Sequence, residues 1–230
     1  MSKKLSEMSN EEKRELTRID HEKVAYQYGA EYGIFIEPED LDVYEAYEKE
    51  IPKGCTILDL GVGSGRSYGY FSKRGYKYIG YDFSEQMWNC AFELHGEFPY
   101  IVDDFVNLKD HFENNSVDTV FAIYSLFHLP MEDFKKALLD IYDILKDDGV
   151  FLVSCSLGDG EELVDEPYLG EEGKEACYLC YITKEELYRL LRESGFEIVY
   201  EKEKLEDRSN TFGENGNNAI FVIAKKIETR

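Results

Sequence analysis

ILDLGVGSGRSYGYF, residues Ile57 to Phe71, starts apolar, places glycines at alternate positions 61, 63 and 65, and runs on into a helix-like stretch. A buried strand, a bare turn and a helix start, in that order, make a ligand cradle. Glycine permits positive φ and a close ligand approach. The first turn of the following helix leaves N–H groups free. Such a cradle can take a phosphate, a nucleoside or an amino-acid carboxylate. The spacing narrows the choice. A dinucleotide fingerprint puts its third glycine one position later. Here that position is Arg66, whose bulk opposes the tight packing of a pyrophosphate site.

Outward from this turn, strands and helices alternate. CTILDL, YKYIGYD, PYIVDD, VDTVFAIYSLF and DGVFLVSCSL read as strands separated by helices. Ser84 caps one of these helices, and Pro130 opens MEDFKKALLDIYDILK. Thr183 and Glu186 form a capping box for TKEELYRLLRESG. FEIVYEKEKL and NAIFVIAKKI close the chain as two strands with no helix between them. Helical crossovers imply parallel strands, and the helix-free pair implies a reversed last strand at or near an edge. Before the turn, residues 9–32 read as one or two amphipathic helices broken near Gly29 and Gly33, and residues 39–51 as another helix.

In a doubly wound sheet, ligands lie beyond the carboxyl ends of the strands, where the strand order reverses. The second strand ends in Tyr81-Asp82, and an acid there can bind both ribose hydroxyls. The third ends in Asp103-Asp104, beside Phe105, a second acidic stop at the same edge.

These segments, in this order from about Gly54 to the C-terminus, resemble a class I S-adenosylmethionine-dependent methyltransferase of the small-molecule type. The motifs carrying the likeness are ILDLGVGSGR, YIGYDFSEQM, VDDFVNL, SVDTVFAIYSLFHLP, ALLDIYDILKDDGVFLVS and ITKEELYRLLRESGFEIV. The resemblance implies an α/β, Rossmann-like, doubly wound seven-stranded sheet of order 3-2-1-4-5-7-6, with strand 7 antiparallel. It divides the chain into an N-terminal helical lid, residues 1–53, and a cofactor-binding domain, residues 54–230. It implies that Asp59 supports the turn, that Gly61, Gly63, Ser64 and Gly65 lie against the cofactor, and that Asp82 binds the ribose. Phe83 and Met87 flank the adenine, Asp104 is the acid that meets its amino group with Phe105 next to it, Asp103 also belongs to the cofactor-binding set, and Tyr124 and Ser125 lie under the sulfonium. Tyr28 matches a lid position that reaches the cofactor carboxylate, the alternative being ordinary aromatic packing. Arg66 departs from the pattern, and either aids that carboxylate or packs outside the site. The cofactor is then S-adenosyl-L-methionine, and the product S-adenosyl-L-homocysteine.

In-line methyl transfer needs orientation and exclusion of water more than a catalytic triad. His128 is the candidate base, set against a histidine that packs or caps beside Pro130. His21, His95 and His111 sit in polar contexts and read as solvated. The long acidic stretch 158–181 reads as a loop that forms a substrate wall, with Tyr178 and Tyr181 as substrate candidates beside Tyr32 and His128. The loop 206–218 is expected to border the substrate too.

The chain has 230 residues, 26 basic and 48 acidic, for a net charge of −22. Such a field repels nucleic acid and anionic membranes. Five cysteines suit a reducing compartment, and the lone CYLC pair is a poor zinc site, so no metal is expected. With no apolar leader or span, the expected location is the cytoplasm, and the expected state a monomer or homodimer acting on a small-molecule acceptor. Two other readings stand beside the enzyme: a nucleotide-dependent oxidoreductase on a similar sheet, and a module that binds S-adenosylmethionine as a sensor or scaffold without transfer.

Overall fold

A computed structural model describes residues 4–165, 176–205 and 218–227. Its strands are β1 (Thr56–Leu60), β2 (Lys77–Asp82), β3 (Tyr100–Val102), β4 (Val117–Ala122), β5 (Leu145–Leu157), β6 (Glu161–Asp165), β7 (Ala176–Cys180), β8 (Phe196–Leu205) and β9 (Asn218–Lys226). Its helices are α1 (Asn10–Tyr32), α2 (Pro38–Glu50), α3 (Arg66–Phe71), α4 (Glu85–His95), α5 (Leu108–His111), α6 (Met131–Ile144) and α7 (Lys184–Glu193).

Seven strands form one sheet in the order β3-β2-β1-β4-β5-β9-β8. Counted within that sheet, β8 and β9 are the sixth and seventh strands, so the expected order 3-2-1-4-5-7-6 is the observed one. β9 runs antiparallel to both β5 and β8, the reversed strand expected from a sequence with no helical pattern before it. The order reverses between β1 and β4, which opens a crevice at their carboxyl ends.

Strand alternation gives the sheet two apolar faces. Leu58, Val120 and Phe151 meet Leu138 and Ile141 of α6 and Leu187 and Leu191 of α7. Ile57, Phe121, Leu152 and Phe221 meet Tyr44 and Tyr47 of α2 and Phe71 of α3. The buried Tyr47 hydroxyl is satisfied by Thr119 Oγ1 at 2.6 Å. Helix starts follow the caps in the sequence: Ser84 Oγ accepts from Met87 N–H, and Thr183 Oγ1 from Glu186 N–H.

Two local expectations are corrected. α1 is not broken at Gly29 but runs unbroken to Tyr32. A Cβ at Gly29 would lie 2.3 Å from Cys90 Sγ, so this glycine lets α1 press against α4 instead of ending a helix. The stretch 158–181 is not all loop: β6 and β7 pair as an antiparallel hairpin, Leu163 opposite Tyr178. Its first strand, EELVD, hides its alternation among acidic residues of low strand preference. Most of the loop 206–218 lies outside the described residues. No helix among the described residues is long and apolar enough to cross a membrane.

Candidate functional site

A cavity of about 530 Å³ opens at the crevice, walled by the glycine turn, the ends of β2 and β4, the buried face of α1 and the tip of β8. Its floor is built by the turn after β1. Gly61 has φ +80°, and its N–H bonds to the Tyr81 carbonyl at 2.7 Å. A Cβ at Gly61 would lie 2.2 Å from Ser125 Cβ, so only glycine lets the turn pass beneath the end of β4. Ser125 in turn donates to the Leu60 carbonyl at 2.6 Å. Gly63 N–H donates to Asp82 Oδ2 at 2.9 Å, and Ser84 N–H to Asp82 Oδ1 at 3.0 Å. The buried Asp82 carboxylate is thus aimed into the cavity by two backbone groups, each leaving lone pairs unused. Burial pushes its pKa up, against the pull of His21 and of these N–H donors.

Asp104 caps the turn that follows β3 and reaches Arg14 Nε at 2.7 Å. Arg14 also pairs with Asp133, so α1 is tied across this end of the cavity. Phe83 and Phe105 present nearly parallel rings, 6.4 Å between centroids, with Met87 beside them. Tyr124 lies two residues beyond β4 at φ +56°, an unusual backbone for a tyrosine, held by its N–H to Ser154 Oγ at 2.6 Å. Its hydroxyl donates to the buried Asp40, which also pairs with Lys204 at 2.7 Å. The Arg66 guanidinium stands 5.6 Å from the Tyr124 ring centre. Among the described residues it makes no hydrogen bond or ion pair. The buried Ser64 hydroxyl on the cavity wall likewise lacks a hydrogen-bond partner.

Asp59, at the end of β1, is buried and accepts a hydrogen bond from the Tyr78 hydroxyl. Burial raises its pKa to about 7. His128 joins the cavity wall, with its Nδ1 3.0 Å from the Tyr178 carbonyl. Burial and the neighbouring His21 push its pKa down to about 3, so the ring is neutral and a weak proton acceptor.

Of the expected site residues, Tyr28, Tyr32, Asp59, Gly61, Gly63, Ser64, Arg66, Asp82, Phe83, Met87, Asp104, Phe105, Tyr124, Ser125 and His128 line this one cavity. Four do not. Gly65 faces His95, whose ring a Cβ would meet at 2.7 Å. Asp103 turns away to Asn107 at 2.7 Å and His111 at 2.7 Å. Tyr178 is buried behind the hairpin with its hydroxyl on Glu161. Tyr181 packs with Phe127 and Leu179. The strand period explains the hairpin: β7 presents Cys177 to the cavity and turns Tyr178 to the opposite face. Unforeseen polar wall residues include Arg14, His21, Asp40, Cys177 and Lys204. His21 is not solvated but stands edge-on to Phe83 and His128, at 5.6 and 5.1 Å. His95 is not solvated either; its Nε2 lies 2.8 Å from the Gly33 carbonyl.

A buried acid for a diol, parallel rings for a flat base, and an unpaired guanidinium and hydroxyl for a polar tail together suit a nucleoside joined to an amino acid. Comparison with known proteins points the same way. Residues 58–153 match the family model of a methyltransferase domain. A phosphoethanolamine N-methyltransferase of Triticum aestivum is 29% identical over 142 residues, which is 58% of this chain and 28% of that enzyme. The chain thus spans little more than a quarter of that relative. An S-adenosylmethionine-dependent methyltransferase of Methanosarcina mazei shares the fold at TM-score 0.68 and 20% identity, over 81% of this chain and 99% of that one. So does a 1,6-didemethyltoxoflavin-N1-methyltransferase of Burkholderia thailandensis, solved with S-adenosylhomocysteine, at TM-score 0.67 and 18% identity, over 99% and 94%. Sheet order, glycine turn and matched domain converge: residues 58–153 match a methyltransferase domain, set in the fold that these S-adenosylmethionine-dependent methyltransferases share.

Proposed function

We propose that the protein methylates a nitrogen of a small amine. The observation carrying this reading is the wall of the cavity around Tyr124: the rings of Tyr28, Tyr32 and Tyr124 beside the acids Glu37, Glu39 and Asp40, which outnumber the cations Arg66 and Lys204 there. Ring faces and carboxylates both favour a cationic or electron-rich amine over an anion. Two similar proteins named above are N-methyltransferases, which supports the same choice.

S-adenosylmethionine supplies, when bound, a methyl group on a positively charged sulfur. The chain's own residues do the rest. Asp82 would take the ribose hydroxyls, and Phe83, Met87 and Phe105 would flank the adenine. Asp104 would accept from its amino group through an oxygen that Arg14 leaves unused. Gly61, Gly63 and Ser64 would carry the backbone against the methionyl chain, and Arg66 with Tyr28 would hold the carboxylate. Tyr124 and Ser125 would lie beneath the reacting methyl, while α1 acts as the lid that keeps water out. His128, neutral and hydrogen-bonded, would shape the acceptor wall and not serve as the base.

Methyl-tritiated cofactor incubated with panels of amines, phenols, thiols and carboxylates tests the reading. Label in amines supports it; label only in polyanionic or non-amine acceptors sinks it. Tight cofactor binding with no transfer to any acceptor or cell extract would favour the sensor or scaffold. The substitution Asp82→Ala is expected to weaken cofactor binding by roughly 1–3 kcal/mol, the usual loss for a hydrogen bond to a charged group. Calorimetry reads this directly, and unchanged affinity would show that the ribose lies elsewhere.

A further inference from the structure

Asp20 and His21 of α1 and Cys177 of β7 bring a carboxylate oxygen, an imidazole nitrogen and a thiol sulfur within 4.8 Å of one another. Asp20 and Cys177 are buried, while His21 and Cys177 face the cavity. We propose that these three side chains bind one divalent cation of the zinc type, leaving a coordination position open toward the cavity.

The donor set selects the ion. Magnesium and calcium take oxygen ligands, whereas one sulfur, one nitrogen and one oxygen suit a borderline-soft cation. Three protein ligands with a vacant fourth place is the pattern of zinc sites that handle a small ligand, while structural sites are closed by four. The surroundings orient the donors. His21 Nδ1–H points at the Thr17 carbonyl, 2.8 Å away, which leaves the lone pair on Nε2 for a metal. On the other side, Cys177 Sγ lies 3.4 Å from His128 Nδ1, whose N–H it shares with the Tyr178 carbonyl at 3.0 Å. The two elements that supply the ligands are fastened together at the site. Tyr178 N–H donates to Thr17 Oγ1 at 3.3 Å, one helical turn before His21. Lys13 pairs with Glu161 of β6 at 2.7 Å. On binding, the Cys177 S–H bond breaks, its proton passes to solvent and a sulfur–metal bond forms, with no change of oxidation state.

The full-length protein, stripped with a chelator and free of cofactor and acceptor, is titrated with cobalt(II) as a spectroscopic substitute for zinc. The expected result is about one equivalent bound, with a sulfur-to-cobalt charge-transfer band. That band should vanish in Cys177→Ser and persist in Cys180→Ser. His21→Gln should weaken the metal's Kd by at least about tenfold. Absence of the band, its persistence in Cys177→Ser, or unchanged affinity in His21→Gln would each overturn the site. If Cys177→Ser fails to fold by circular dichroism, alkylation of the wild-type protein decides. Zinc should slow labelling of Cys177 located by peptide mapping, and equal labelling with and without zinc would refute the proposal. Methyl transfer enters none of these readings, so the metal site and the amine reading stand or fall separately.

Discussion

Replacing Gly61 by alanine should cost the fold about 2–5 kcal/mol and remove cofactor binding with it. Two terms add. The position sits at φ +80°, where an L side chain costs roughly 1–2 kcal/mol. The new methyl would also lie 2.2 Å from Ser125 Cβ, and relieving such overpacking typically costs about 1–3 kcal/mol. Ser125 has little room to yield, because it is buried and its hydroxyl is fixed to the Leu60 carbonyl. Gly75 is the control. It shares the positive φ, at +84°, but a Cβ there meets nothing within 4 Å. Gly75→Ala should therefore show the conformational term alone, about 1–2 kcal/mol, and bind cofactor normally. Urea unfolding of both variants measures the difference. Equal losses at the two positions would mean that the turn does not pass beneath Ser125.

The second large effect is a pH dependence. Asp59 titrates near 7 in the folded chain, against 3.8 for the free side chain, because burial disfavours its charge. Between these values the folded state holds a proton that the unfolded state has lost. Its contribution is therefore greatest at low pH and is lost as pH rises through about 7, an effect of order 4 kcal/mol when complete. His128 acts in the opposite sense. Its pKa falls from 6.5 to about 3 on folding, so its term is present above 6.5 and is lost as pH drops toward 3. The wild-type curve mixes the two, and variants separate them. Asp59→Asn keeps an acceptor for the Tyr78 hydroxyl and removes the buried charge. It should be more stable than wild type at pH 8, with the gap closing toward pH 4. His128→Gln should lose less stability than wild type on acidification below pH 6.5. Denaturation midpoints across this range check both, and a constant gap between Asp59→Asn and wild type would show that Asp59 is not held in its protonated form.

The cavity wall supplied by α1 shows why part of the site escaped the sequence. Arg14, Thr17, His21, Val24 and Tyr28 recur at spacings of three and four, the signature of one buried helix face. A hydropathy pattern misses it, since only Val24 among them is aliphatic. These polar groups are buried because each meets a polar partner: Arg14 meets Asp104 and Asp133, and Thr17 the Tyr178 N–H. The spacing alone could have flagged His21. Asp40 and Lys204, 164 residues apart, carried no comparable signal.

Strand order, the reversed last strand and the glycine turn were written locally, in apolar period, caps and the missing final crossover, so the chain's own order determined them. So was the acid at Asp82, because it sits at a strand end whose direction the alternation already sets. The resemblance pointed to Asp104 as the inward acid, but that its neighbour Asp103 turns away was decided only in three dimensions, where Asn107 and His111 draw it. Likewise Cys177 and not Tyr178 faces the cavity, because the pairing of β7 with β6 and its packing on α1 choose the outward side. Neighbouring residues in a chain point in different directions, and only the partners that arrive from distant segments settle which of them meets the ligand.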